Sequence, residues 1–174
     1  MRRRPALRPQ PPGDAWKLER FSVPDLGRYY SVFHRVGDEH LWVARLLLPQ
    51  SELARYITAD GVEVFILTTQ SGDEGLLELD FRVSGECEVA LFGVAPSLVG
   101  TGAGRWFMNR ALEIAWSRPI ERFWLHTCTL DHPNALAFYT RTGFVPYQRQ
   151  VEVFDDPRYL KLTRADAAPH VPIL

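Results

Sequence analysis

Short apolar runs in the first half of the chain predict strands. After a short strand near residues 16–20, three strand-like runs occupy residues 62–69, 75–83 and 86–94. The segments SGDEG and SGE between them are rich in turn-forming residues. We therefore expect these three strands to form an antiparallel meander.

A helical period replaces this pattern from Gly102 onwards. The apolar stripe of this third helix contains Ala103, Trp106, Phe107, Ala111, Ile114 and Ala115. The remaining elements are predicted in chain order as two helices within 24–57 around a loop at 37–40, a strand at 121–128, a helix at 133–141 closed by Gly143, and strands at 144–154 and 159–162.

The unit of strand, helix and strand at residues 86–128 implies a right-handed parallel crossover. The predicted fold class is therefore α/β. We expect a mixed, mostly antiparallel sheet of six or seven strands with a central β-α-β crossover and about four helices.

Length and charge divide the chain into a body and two tails. A chain of 174 residues with 46% hydrophobic residues is typical of one globular domain, which we place at residues 15–163, with a C-terminal tail at 164–174. Residues 1–14 are predicted to be a flexible tail rich in Pro and Arg. Residues 1–10 hold four Arg and no acid, so the net charge of −1 conceals a value of −5 for the rest.

The near-neutral total gives no general attraction to nucleic acid or to a membrane surface, and no apolar run reaches the ~20 residues of a membrane span. Contact of the Arg-rich tail with nucleic acid is retained as an alternative. The two cysteines, Cys87 and Cys128, form no CxxC pair. This predicts no metal site and favours a reducing compartment, the cytoplasm.

The segment from Gly93 to Arg105 joins a strand directly to a helix and contains alternating glycines at 100, 102 and 104. Such a junction exposes backbone N–H groups at the positive end of a helix, an arrangement that binds phosphate. Arg105 in the first turn would add a positive side chain. The alternative is that these glycines only permit a tight turn and close packing.

Two motifs make the chain resemble the GNAT superfamily, the Gcn5-related N-acetyltransferases. The pyrophosphate motif Q/R-x-x-G-x-G/A is similar to residues 99–104, and a later motif is similar to Ala135 through Tyr139 followed by Gly143-Phe144. The resemblance covers about residues 15–163. Val99 departs from the usual Arg or Gln, and His132 stands where the family often has Asn, with Asn134 two residues later.

The resemblance implies that acetyl-CoA binds in a cleft where the fourth and fifth strands separate. It implies a pantetheine arm along the fourth strand and a pyrophosphate on the glycine-rich turn. The cofactor-binding residues carried over in this way are Phe92, Val94, Val99, Gly100, Thr101, Gly102, Ala103, Gly104, Arg105, His132 and Asn134.

Proton transfer to and from the reacting groups requires a base and an acid. The favoured base is Glu88, because the family resemblance places an acidic residue four before Phe92 and because alternation predicts both on one strand face. His126 is the rival base, since its reference pKa of about 6.5 suits it to work near neutrality. Tyr139 is the predicted acid, able to protonate a departing thiolate.

The acceptor is expected to be a small-molecule amine or a peptide amine, recognised by segments within residues 25–57 and 147–156. Glu78 and Asp80 on the third strand are further candidates for attracting an ammonium group. A homodimer is possible. The alternative function is a non-catalytic sensor of the same fold that binds acetyl-CoA or CoA without turnover, which the apolar Val99 makes credible.

Overall fold

The computed structural model describes residues 1–10, 15–22 and 24–173. Within them the chain forms one mixed sheet with the strands in sequential order, the first four antiparallel and the last pair parallel. The strands are β1 Lys17–Arg20, β2 Val62–Thr69, β3 Gly72–Asp80, β4 Glu86–Val94 and β5 Arg122–Leu125.

Four α-helices cover the two faces of the sheet: α1 Leu26–Gly37, α2 Gln50–Ile57, α3 Ala103–Ala115 and α4 Ala135–Thr142. The apolar stripes of α1 and α2 pack on one face, and those of α3 and α4 on the other. The crossover from β4 through α3 to β5 confirms the predicted β-α-β unit. Within the described ranges, no helix is long and apolar enough to cross a membrane.

The sheet has five strands among the described residues, so the prediction of six or seven is wrong. Residues 144–154 and 159–162 contain no strand, and Val151 and Val153 are more than nine-tenths exposed. An alternating apolar pattern forms a strand only where a partner edge exists. At the free edge of β5, the backbone of Phe123 pairs instead with Met1, whose carbonyl accepts from the Phe123 N–H at 2.9 Å.

Both predicted tails contact the domain where they are described. In residues 1–10, Met1 and Leu7 pack against the core under α3, while residues 11–14 lie outside the described residues. At the other end, Ala167 and Ala168 are fully buried against Leu41 in the loop after α1. These contacts differ from the flexible tail predicted for residues 1–14. The apolar residues of both segments explain the contacts, because burying them removes hydrocarbon surface from water.

A β-bulge in β4 changes which side chains share a face. The register against β3 pairs Leu79 with Val89 and Glu78 with Leu91, which leaves Ala90 as an extra residue. Leu91 therefore packs on the α1 face, and Phe92 packs on the α3 face with Val89. The prediction that Phe92 lies on the same face as Glu88 is wrong, because simple alternation ends at the bulge.

Candidate active site

A cavity lies where β4 and β5 separate. The two strands pair in parallel as far as Val89 and Leu125, where β5 ends, while β4 continues to Val94. Beyond this point a cavity of about 140 Å³ opens. Its lining includes Trp42, Leu91, His126, Tyr139 and Phe154. The cleft between strands that the family resemblance implies is thus present as a feature of the backbone.

The two rival bases lie beside each other. His126 follows directly after β5, which ends at Leu125 rather than at residue 128 as predicted, and its Nδ1 is 3.6 Å from Glu88 Oε1. The His126 side chain is 71% exposed and lines the cavity, while Glu88 is 25% exposed and lines a different surface depression with Asp80 and Trp124. The Glu88 carboxylate raises the pKa of His126 above its usual 6.5. The two residues form one ion pair, a unit that sequence reasoning treated as two alternatives.

Tyr139 faces the same cavity from α4. Its ring contacts Phe92 edge-on, with the ring centroids 6.3 Å apart. Burial, with a smaller contribution from the charge of Asp131, raises the pKa of Tyr139 well above its usual value. The phenol is therefore protonated at neutral pH, as a general acid requires.

The glycine-rich turn forms an open cradle at the start of α3. Gly100 and Gly102 have φ of +81° and +97°, in the left-handed region that glycine adopts without strain. A Cβ atom at Gly100 or at Gly104 would meet no atom within 4 Å. The first turn of α3 has no side-chain cap and no acidic residue, so its N–H groups and helix dipole favour an anion.

The side chains of this turn also suit the binding of an anion. Arg105 lies in the first turn of α3, and its Nε is buried without a hydrogen-bond partner. Thr101 stabilises the turn itself, since its hydroxyl donates to Leu98 O at 2.7 Å and accepts from the Ala103 N–H at 3.2 Å. Val99 is half exposed and adds no polar group. The residues present therefore suit a phosphate-bearing cofactor held mainly by backbone amides.

The loop before α4 is organised by its own contacts. His132 Nδ1 accepts from the backbone N–H of Asn134 at 3.1 Å, and both residues are exposed. Asp131 accepts from the Thr127 hydroxyl at 2.6 Å and from the Cys128 N–H at 3.0 Å. These contacts give Asp131 a structural role in the loop, and α4 begins two residues later than predicted, at Ala135.

The carboxylates of β3 are already paired. Glu78 is fully buried, accepts from Arg45 Nη2 at 2.7 Å and also accepts from the Tyr29 hydroxyl. Asp80 pairs with Arg82 at 2.6 Å. Neither carboxylate is free to attract an ammonium group, so this part of the acceptor prediction is wrong. Alternation could not reveal it, because the partners of Glu78 lie far away in sequence.

Both segments predicted to recognise the acceptor reach the cavity. Residues 40–44 after α1 form one wall, and Phe154 contributes from the C-terminal region. Cys128 and Leu130 also line it and were not predicted, since their positions depend on the loop after β5. Across the described ranges, no group of three or more His, Cys, Asp or Glu is placed to hold a metal ion.

Diverging strands, an open anion cradle and a protonated phenol in the cavity suit an enzyme that moves an acyl group from a nucleotide-bearing carrier. A family model described as Acetyltransferase (GNAT) family matches residues 14–144. The chain belongs to this family and is an N-acetyltransferase of the GNAT type.

Comparison of folds agrees with this assignment. An aminoglycoside acetyltransferase from an uncultured soil metagenomic sample superposes with a TM-score of 0.64 at 14% identity, over 81% of this chain and 95% of that chain. An acetyltransferase of Trypanosoma brucei gives 0.58 at 23% identity, over 80% and 99%. The ribosomal-protein-S18-alanine N-acetyltransferase of Escherichia coli gives 0.61 at 18% identity, over 76% and 79%. No curated protein sequence matches the chain.

Proposed function

We propose that the chain binds acetyl-CoA and transfers its acetyl group directly to an amine. The observation that carries the proposal is the cavity between β4 and β5, which is lined by both Tyr139 and His126, the partner of Glu88. Acetyl-CoA would supply the acetyl group as a thioester. The chain's own residues would hold the donor, accept one proton and provide another.

The N–H groups of the turn from Gly100 to Arg105, apart from those of Thr101 and Ala103 that donate within the turn, would hold the pyrophosphate, because they lie at the positive end of α3. The backbone of β4 at Phe92 and Val94 would lie along the pantetheine arm, since β5 does not pair with this part of β4. His132 and Asn134, at the entry to α4, would lie near the same arm. These assignments rest on the open edge and on the family motif.

His126 is the proposed base that accepts the proton of the attacking amine, with Glu88 raising the pKa of the imidazole. This reverses the order of the two sequence candidates, because His126 lines the cavity and Glu88 does not. Tyr139 is the proposed acid, since its phenol keeps its proton and faces the cavity.

The acceptor is proposed to be a small-molecule amine or a peptide amine. Proteins with this fold include an aminoglycoside acetyltransferase and a ribosomal-protein-alanine N-acetyltransferase, which supports amines of both kinds. A cytoplasmic location and a homodimer remain predictions from the sequence.

The test is thiol release from acetyl-CoA in the presence of a panel of amines and peptides. We expect amine-dependent release, which His126→Ala and Tyr139→Phe each lower by about 10²–10⁴-fold in kcat. The matched controls are His170→Ala and Tyr159→Phe, two exposed residues outside the cavity lining. Binding of acetyl-CoA without release for any acceptor would instead support the sensor function.

A further inference from the structure

Residues 1–10 are attached to α3 by a specific contact. Asn109 is 1% exposed in the middle of α3. Its Nδ2 donates to Arg8 O at 2.8 Å, and its Oδ1 accepts from the Arg8 N–H at 3.3 Å. A buried amide that bonds both backbone groups of one residue fixes the position of that residue as a neighbouring strand would.

This contact places the Arg8 side chain between two helices. Asn109 lies four residues after Arg105, so both project from one face of α3, a turn apart. The guanidinium of Arg8 lies over the ring of Phe138 in α4, 5.9 Å from its centroid. Arg141 lies three residues after Phe138, on the same side of α4. Arg8 therefore spans the gap from the cradle helix to α4.

The Arg8 guanidinium is influenced here by two others, those of Arg105 and Arg141. Burial lowers the pKa of Arg8, and the positive charges of Arg105 and Arg141 lower it further. Among the residues that the structure describes, none of the three forms an ion pair with a carboxylate. Like charges that converge in this way repel one another unless an anion lies between them.

The cradle itself supplies few charges. Arg105 is its one basic side chain, its Nε has no partner, and Val99 adds nothing polar. Further guanidinium groups near the cradle would add charge-assisted contacts to a cofactor that carries several phosphate charges.

We propose that the N-terminal segment is part of the nucleotide site: Arg8, positioned by Asn109, joins Arg105 and Arg141 in binding the phosphate groups of CoA. This inference rests on the proposed function, because it names further residues of the same site. Residues 1–10, which the sequence predicted to be part of a flexible tail, would thereby supply a cofactor contact that lies outside the family motifs.

The test is binding of CoA to the full chain by calorimetry, without any acceptor. We expect Arg8→Ala to raise Kd about tenfold or more, as loss of a charge-assisted contact does. Arg8→Lys should recover part of the affinity, because it keeps the charge without the planar fork. The matched control is Arg4→Ala, an exposed arginine of the same segment, which should leave Kd within about twofold.

Two further measurements show which phosphate group Arg8 contacts and whether the N-terminal segment takes part in binding. Dephospho-CoA lacks the 3′-phosphate of CoA but keeps the pyrophosphate. If Arg8 contacts the 3′-phosphate, Arg8→Ala should raise Kd for CoA and not for dephospho-CoA. If Arg8 contacts the pyrophosphate, Arg8→Ala should raise Kd for both ligands. Bound CoA should also slow hydrogen exchange of the amides in residues 6–8 of the unaltered protein.

The outcomes distinguish this inference from the function it rests on. If the unaltered protein binds CoA and Arg8→Ala binds it equally well, the inference is wrong and the proposed function stands. Tighter binding by Arg8→Ala would also overturn it, since the segment would then cover the site. If the unaltered protein binds no CoA, the proposed function itself fails.

Discussion

Two glutamates on neighbouring strands have the same chemistry and opposite surroundings. Glu78 on β3 is fully buried and has Arg45 and Tyr29 as donors. Glu88 on β4 is partly exposed and has one loose partner, His126, at 3.6 Å. The oxygens of Glu78 accept from buried protein donors, whereas Glu88 has a loose contact with an exposed imidazole that lines the cavity. The comparison separates a carboxylate held in a buried cluster from one that lies beside the proposed base.

The cluster around Glu78 is closed by its own members. Burial alone would lower the pKa of Arg45, but the Glu78 carboxylate outweighs this effect and raises it. Burial and the same carboxylate raise the pKa of Tyr29. Arg45 also donates to the Tyr56 hydroxyl at 2.8 Å and lies over its ring. Arg45 and Tyr29 therefore keep their protons across the physiological range, which is unsuited to proton transfer.

The largest expected difference is in stability. Glu78→Ala should lower the free energy of unfolding by about 3–5 kcal/mol, because it leaves the Arg45 guanidinium buried and unpaired. Glu88→Ala should lower it by less than about 1 kcal/mol, as for an exposed pair. Urea unfolding of both variants gives the values, and equal losses would contradict the comparison.

The tyrosines of the two regions give a smaller contrast. Tyr29→Phe removes a hydrogen bond to a buried carboxylate and should cost about 1.5–3 kcal/mol of stability. The Tyr139 hydroxyl makes no hydrogen bond within the described part of the chain, so Tyr139→Phe should cost less than about 0.5 kcal/mol. Thermal and urea unfolding measure both. A larger loss for Tyr139→Phe would assign that hydroxyl a structural role.

Replacing the whole buried cluster should restore much of the lost stability. The triple variant Glu78→Leu, Arg45→Met and Tyr29→Phe leaves no buried charge without a partner, so its unfolding free energy should lie within about 2 kcal/mol of the unaltered protein. The triple variant is compared with Glu78→Ala in the same urea series. A triple variant less stable than Glu78→Ala would show that packing rather than charge pairing maintains this region.

The smallest expected effect is a shift in the pH dependence of the activity, which depends on the contact between Glu88 and His126. If His126 is the base, kcat/KM rises with pH as the imidazole loses its proton, which gives the pH profile an acidic limb. Glu88 raises the pKa of His126 and so shifts this limb to higher pH. Glu88→Gln should therefore move the acidic limb of kcat/KM to lower pH, with activity retained above it. Loss of activity at every pH would instead identify Glu88 as the base itself.

Much of the fold follows from local sequence. The bounds of β2 and β4 are those predicted, and Gly143 ends α4 in the left-handed conformation that glycine favours. The glycines of the cradle were identified in the same way, because turn geometry is determined by neighbouring residues, whereas Tyr139 was selected by its match to the family motif. The family assignment also comes from these short motifs.

Other features depend on contacts between distant residues. The bulge at Ala90 turns Phe92 to the α3 face, and Met1 pairs with the edge of β5 where a further strand was expected. Glu78 and Glu88 look alike in sequence, since each follows a polar and apolar alternation. Only the folded chain brings Arg45 and Tyr29 to one carboxylate and leaves the other beside a cavity, because burial and pairing are decided by which distant side chains the sheet and helices bring together.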